Sequence, residues 1–210
     1  VVHVGWLRSK QAGYRPFLEA GMPFTQQMSI PAEITIPGDR LYRNPVAEIA
    51  KLYAKTTTIS DQTADSANAK LASLKPELID LTLRFAAKGD LTLHLRGLPI
   101  HYKAAEQEFH FTNAARVAGE KAAALKHRDP KKRNYRDTGL RKTPAPTVDG
   151  AVTLRALVDR ASLELFANDG QAAASFVVVP KASNRELRIE AAPNTKIHNL
   201  IVNELNSAWD

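Results

Sequence analysis

Apolar and polar residues alternate along much of this 210-residue chain, and the alternation is cleanest from Val152 to Val179. Val152, Leu154, Ala156 and Val158 share one face of a period-2 element, with Thr153, Arg155 and Asp159 opposite; this predicts a strand with one buried side. Asp159 and Arg160 turn the chain. Leu163 and Leu165 then face one way against Ser162 and Glu164, and Asn168-Asp169-Gly170 supplies residues that tolerate positive φ at a hairpin turn. Phe176 to Val179 closes a three-stranded antiparallel meander. Three strands with one apolar face are not stable alone, so a second sheet is required opposite them.

The same period recurs elsewhere. Glu77 to Ala86 alternates, Gly89-Asp90 turns it into Leu91 to Arg96, and beyond Gly97 the segments Ile100 to Tyr102 and Glu108 to Phe111 predict another hairpin. Arg185 to Glu190 alternates again, Pro193-Asn194 turns, and Ile197 to Leu205 forms the last strand. Toward the N-terminus, Val1 to Leu7 alternates weakly, Ser9 to Gly21 reads as loop, Phe24 to Ile36 as a strand, Pro37-Gly38-Asp39 as a turn, and Leu41 to Arg43 as a short strand. Pro45 to Tyr53 predicts a brief helix, with Pro early and Val46, Ile49 and Leu52 at helical spacing. Thr56 to Leu74 reads as a loop or short helix over the surface. Short strands with little helix predict an all-β chain, an antiparallel two-sheet β-sandwich.

Composition changes this picture little. The absence of cysteine excludes disulfides, thiolate nucleophiles and cysteine-ligated zinc. No apolar run reaches the roughly 18 residues of a membrane span, so no membrane partner is expected, and the start lacks the basic and apolar regions of a signal peptide. The chain begins inside a strand-like segment, Val1 to Trp6, so a fragment of a longer protein is expected. A formal charge of +7 would raise nucleic acid or an anionic surface as partner. Its distribution argues otherwise, because Ala114 to Thr147 holds ten Lys or Arg against three Asp or Glu, the whole surplus. That stretch follows no groove-reading motif and has Tyr135 as its single aromatic residue, so it reads as a solvated basic insertion or loop, and no nucleic acid is expected.

Candidate chemistry is sparse. His94, His101 and His110 lie on predicted strands without a preferred zinc spacing, so they read as solvent-facing, and neither a metal nor another cofactor is expected. No Gly-x-Ser-x-Gly elbow appears, and no spacing isolates a pair of carboxylates with one raised pKa.

LRALVDRASLELFANDG (Leu154 to Gly170) resembles a run near the end of glycoside hydrolase family 32, the invertases, inulinases and levanases. PFTQQMSIPAEITI (Pro23 to Ile36), RLYRNPVAEI (Arg40 to Ile49) and the closing IVNELNSAWD are similar to further family segments in the same order. Tyr102-Lys103 stands where the family has Tyr-Asp. The resemblance implies a C-terminal β-sandwich at residues 23–210, with 114–147 as the insertion, preceded at residues 1–22 by the end of a catalytic β-propeller and a linker. It further implies a parent enzyme that hydrolyses β-fructofuranosyl linkages of sucrose, inulin or levan, secreted or periplasmic, in which this portion stabilises the propeller. Partners would be that propeller, with a second copy of the chain as another candidate.

On this reading Trp6, Phe17, Met22, Phe24, Gln26 and Gln27 form the domain interface. Trp6 stacking on a sugar ring is the sharper reading; packing between domains is preferred because Trp is highly buried on average. Gln26 and Gln27 would satisfy loose backbone groups there rather than fructosyl hydroxyls.

Family 32 enzymes are retaining, with two carboxylates about 5 to 5.5 Å apart. The resemblance puts their nucleophile in an Asn-Asp-Pro motif, a stabiliser in Arg-Asp-Pro and the acid/base in Glu-Cys, all in the propeller. This chain lacks the first and the last. Arg128-Asp129-Pro130 spells the second but lies in the basic stretch, downstream of the sandwich-like segments, and reads as coincidence, so no catalytic residue is expected. Three alternatives stay open: a free-standing carbohydrate-binding sandwich using Tyr42, Tyr53, Tyr102 or Tyr135, an oligomerisation module, and a lone catalytic sandwich using Asp129.

Overall fold

Alternation along the chain becomes stacked antiparallel sheets in the computed structural model, which describes residues 1–7, 15–133, 138–192 and 194–208. The N-terminal part holds β1 (Val2–His3), β2 (Trp6–Leu7), α1 (Arg15–Glu19), β3 (Gln27–Met28), β4 (Ala32–Thr35), β5 (Tyr42–Pro45) and a 3-10 helix at Ala47–Leu52. Next come β6 (Tyr53–Thr63), α2 (Ala64–Leu71), β7 (Ile79–Ala86), β8 (Leu91–Leu95), β9 (Leu98–Lys103), β10 (Glu108–Thr112) and α3 (Ala114–Leu125). A 3-10 turn at Pro130–Lys132 leads to β11 (Leu140–Pro144), β12 (Ala151–Val158), β13 (Ser162–Ala167), β14 (Ala172–Val177), β15 (Leu187–Ala191) and β16 (Lys196–Leu205).

Six strands in the order β14-β13-β12-β7-β16-β6 face five in the order β11-β10-β9-β8-β15, the expected all-β sandwich. Between them lies one core. Leu81, Leu83 and Phe85 of β7 and Val152, Leu154 and Ala156 of β12 meet Leu93, Ile100, Phe109 and Phe111 of the second sheet. Tyr102 is fully buried in this core, its ring 5.3 Å from Phe85 and 5.2 Å from Phe109. Helix α2 sets Ala64, Ala67 and Leu71 into the same core. Thr63 caps its N-terminus by accepting the Ser66 N–H. From α2, the Asn68 side chain donates to Ile189 O at 2.7 Å and accepts Ile189 N–H at 2.8 Å, pairing backbone groups of edge strand β15.

Several local expectations need correction. The segment 24–36 forms two short strands, the brief helix expected within Pro45 to Tyr53 is a 3-10 helix at Ala47–Leu52, and α1 lies in a stretch read as loop. The polar stretch after Tyr53 is the 11-residue edge strand β6 followed by α2. β11, the edge strand beside β10, lies within the basic stretch 114–147. Residues 9–14, Tyr135, Pro193 and Trp209 lie outside the described residues.

β13 departs most from simple alternation, because all six of its residues are buried. Leu163, Leu165 and Ala167 join the main core. Phe166 joins Leu157 and Ala32 in a second apolar cluster, with Ile30 and Ile49 packed against it. The segment from Ile30 to Ile49 therefore covers the outer face of the six-stranded sheet. At its far end the Asn168-Asp169-Gly170 turn, with φ of 45°, 55° and 86°, meets β5. Arg43 N–H donates to Gly170 O at 2.9 Å, and Asn44 Nδ2 donates to Asp169 O at 2.6 Å.

A Cβ on Gly170 would lie 2.3 Å from Arg43 O, closer than real Cβ atoms come to backbone. Gly150, at φ +72°, has nothing within 4 Å of that position. Gly170→Ala is expected to cost about 3 kcal/mol through clash added to backbone strain, and Gly150→Ala about 1 kcal/mol through strain alone. Urea unfolding of the two variants checks the ordering.

Candidate functional site

The arm from residue 1 to the 3-10 helix is attached to the sandwich by polar anchors set among apolar contacts. Glu164, fully buried on the outer face of β13, accepts Ile30 N–H at 2.5 Å through Oε1. Its Oε2 accepts Ser175 Oγ at 2.7 Å and Arg43 Nη2 at 3.1 Å. The Arg43 guanidinium lies 5.7 Å from the centre of the Phe166 ring, within cation–π range. Gln27 Nε2 donates to Ala161 O, so Gln27 is an anchor of the arm on the sandwich. Burial pushes the Glu164 carboxyl above its ordinary range, against the opposing pull of Ser175, the Ile30 N–H, Arg43 and His3.

A second buried acid stands nearby on the same sheet. Asp80 receives Arg155 Nε at 2.9 Å and Nη2 at 2.6 Å, and Tyr53 Oη donates to it at 2.7 Å. Burial first, and the Asp80 carboxylate second, push the Tyr53 phenol up to about 12.

Beyond these anchors the arm turns apolar groups to solvent. Trp6 and Met28 are cross-strand neighbours on β2 and β3 and are 61% and 55% exposed. Val2, Val4 and Phe24 are exposed as well. Phe17 is fully buried, edge-on to Phe24 at 6.1 Å, and Gln26 is half-buried. Met22 and Phe24 line an apolar pocket of about 430 Å³ whose other side is formed by Leu157, Val158 and Leu205. Of the six interface candidates, Trp6 and Phe24 present exposed surface, Met22 is half-buried beside Phe24, and Phe17 and Gln27 hold the arm from within. Glu164, Arg43, Val2 and Met28 were not among those candidates.

The remaining candidates separate. His110 is buried rather than solvent-facing, and His94 and His101 are half-buried, because side chains of neighbouring strands cover them. Glu106, Glu108 and His110 bring ligand atoms within 4.8 Å of one another. Lys142 Nζ, 2.6 Å from Glu106 and 3.0 Å from Glu108, already supplies the cation there. Asp129 accepts Lys131 N–H at 3.0 Å and so caps the 3-10 turn that follows it. Tyr42 and Tyr53 are half-buried and Tyr102 is internal, so these three build no exposed stacking platform. No helix among the described residues is long and apolar enough to cross a membrane.

Residues 48–205 match the family described as "Glycosyl hydrolases family 32 C terminal". The chain belongs to glycoside hydrolase family 32. Its match to the family's C-terminal region spans the six-stranded and five-stranded sheets and begins where the arm ends. A levanase of Bacillus subtilis (strain 168) is 35% identical over 74 residues, which is 35% of this chain and 11% of that protein. Among solved structures, the sucrose-6-phosphate hydrolase from Lactobacillus gasseri superposes with a TM-score of 0.71 at 19% identity, over 98% of this chain and 38% of that one. The exo-inulinase from Aspergillus awamori gives 0.67 at 19% identity, over 99% and 41%. The family 32 chain described here thus spans about two fifths of the length of those two structures.

The raised Glu164 carboxyl means that the folded protein holds its proton more tightly than the unfolded chain. Its contribution to stability is present at acid pH and is lost as pH rises through the folded value. The stability difference between wild type and Glu164→Gln is therefore expected to favour wild type more at pH 5 than at pH 8, by urea titration at both. Arg43→Met, which strips the buried carboxylate of its cation, is expected to cost about 3 kcal/mol at neutral pH.

Proposed function

We propose that this chain is the C-terminal sandwich of a β-fructosidase and acts as a structural buttress, with residues 1–22 forming the end of the catalytic propeller and its linker and residues 23–210 the sandwich. The carrying observation is the pairing on one arm of an apolar outer surface, Val2, Trp6, Phe24 and Met28, with buried anchors at Glu164 and Ala161. An exposed apolar patch of this kind marks an interaction surface, and the anchors give it a fixed footing. The rest of the propeller, of which residues 1–22 would be the end, is the proposed occupant. Its substrates would be sucrose or fructans such as inulin and levan, and the enzyme would be secreted or periplasmic.

In this reading the chain supplies no catalytic acid. The family's Arg-Asp-Pro wording recurs at Arg128-Asp129-Pro130, where Asp129 is committed to capping a turn. Glu164 and Asp80 are each held by an arginine beneath the surface, which suits structural anchoring rather than attack on an anomeric carbon.

The purified chain is expected to release no fructose from sucrose, inulin or levan, with intact mass confirmed on the same sample. Release at that mass would place active carboxylates within the sandwich and overturn the reading. Supplied in trans, the chain is expected to raise the thermal midpoint of the enzyme's catalytic domain. A Trp6→Ser, Met28→Ser double variant should lose that effect while keeping its own unfolding midpoint. Size-exclusion chromatography of both forms distinguishes propeller docking from pairing of two copies through the same face.

A further inference from the structure

At the corner where the β8–β9 turn meets the segment before β15, positive charge collects in excess of the acids beside it. Arg96, at φ +51° and 2% exposed, donates from Nη1 to Glu77 O at 2.8 Å and from Nε to Asn184 O at 3.3 Å. Both acceptors are neutral carbonyls. A guanidinium taken out of water normally has an anionic partner, since carbonyls offset only part of the desolvation cost. Burial, and next the neighbouring Arg185, push the Arg96 pKa down, as expected for a cation crowded by another cation.

Arg185 is itself incompletely satisfied. Its Nη2 lies 3.3 Å from Glu77 Oε2, a carboxylate that Arg160 Nε also reaches at 3.0 Å, while its buried Nη1 has no hydrogen-bond acceptor. Arg185 lines an open cleft of about 760 Å³ between α2 and the start of β15. Lys75 and Lys181 line the same cleft, both exposed, beside the Ser183 hydroxyl and the Asn184 amide. Glu186, the one lining carboxylate among the described residues, is held by Arg188 Nε at 3.1 Å.

We infer that this cleft binds a phosphoryl dianion, free or carried on a sugar. Lys75, Lys181 and Arg185 would supply the charge, Ser183 and Asn184 neutral hydrogen bonds, and Arg96 a positive field from below. An anion here would offset the positive charge that remains where Arg96, Arg160 and Arg185 share Glu77 and Lys75 and Lys181 face the cleft. Among the described residues the lining contains no aromatic side chain, so a neutral sugar finds no stacking surface there. The cleft is within the size range of small-molecule sites and accommodates a hexose as well as the phosphate. It is separate from the apolar arm and does not depend on what docks there.

The test is calorimetric titration of the chain in low-chloride buffer with inorganic phosphate, fructose 6-phosphate and fructose. One-to-one binding of either phosphate compound without binding of fructose is expected. A Lys75→Ala, Lys181→Ala double variant should weaken that binding about tenfold. The control is a Lys131→Ala, Arg133→Ala double variant, which removes two charges from the basic stretch and should leave binding unchanged. Tighter binding of fructose 6-phosphate than of phosphate supports the site with a sugar-borne ligand; equal or weaker binding supports it with the free anion. Absence of saturable binding, or an equal loss in the control variant, would overturn it, the latter by revealing general attraction of a basic chain for anions.

Discussion

Glu164 sits where water does not reach it, and the path of the arm from Ile30 to Arg43 follows from what that carboxylate requires. A buried anion needs donors on both oxygens. One is a backbone N–H, which fixes the chain at Ile30; one is a guanidinium, which fixes it again at Arg43; the third is the Ser175 hydroxyl on the next strand. Phe166 beside it supplies the apolar contact that holds Ala32 and Ile30 against the sheet. The arm is thus pinned at two points, and the apolar surface it carries has a defined position relative to the sandwich.

The two sheets divide the work of the molecule. The inner faces are apolar and build one core, in which even the buried tyrosine is surrounded by phenyl rings. The outer face of the five-stranded sheet carries a cross-strand row of Lys142, His110, His101 and Thr92. The outer face of the six-stranded sheet is different, because the buried acids Asp80 and Glu164 pair with the half-buried Arg155 and Arg43 beside a small apolar patch. Such pairs add little net stability, but they tolerate few alternative arrangements, which suits a surface that has to hold a second layer in register.

Strands with one polar face were legible in the sequence, and so was the family resemblance through the Leu154 to Gly170 run. What escaped has a physical cause. β13 has two buried faces, so Ser162 and Glu164, polar residues in an alternating pattern, looked solvated when they are covered by an arm more than a hundred residues earlier. β6 and β11 are edge strands with few buried side chains, and without an apolar stripe neither announces itself. His110 does face away from the core, yet Lys142 and two glutamates close over it. The anchors at Glu164 and Arg43 left no local signal, because their partners are 121 and 134 residues apart in the chain.

That separation bears on the order of events during synthesis. The arm leaves the ribosome before the sandwich, and the carboxylate that receives Ile30 follows 134 residues later. At typical rates of chain elongation the delay is on the order of ten seconds. Throughout it, Ile30, Ala32 and Ile49 have no sheet to pack against, and Arg43 has no counterion from β13. Native docking of the arm is therefore a late step, delayed until the β13–β14 hairpin that turns at Gly170 has closed. The exposure of apolar residues on a waiting segment makes this interval the one in which chaperone capture or premature association competes with folding.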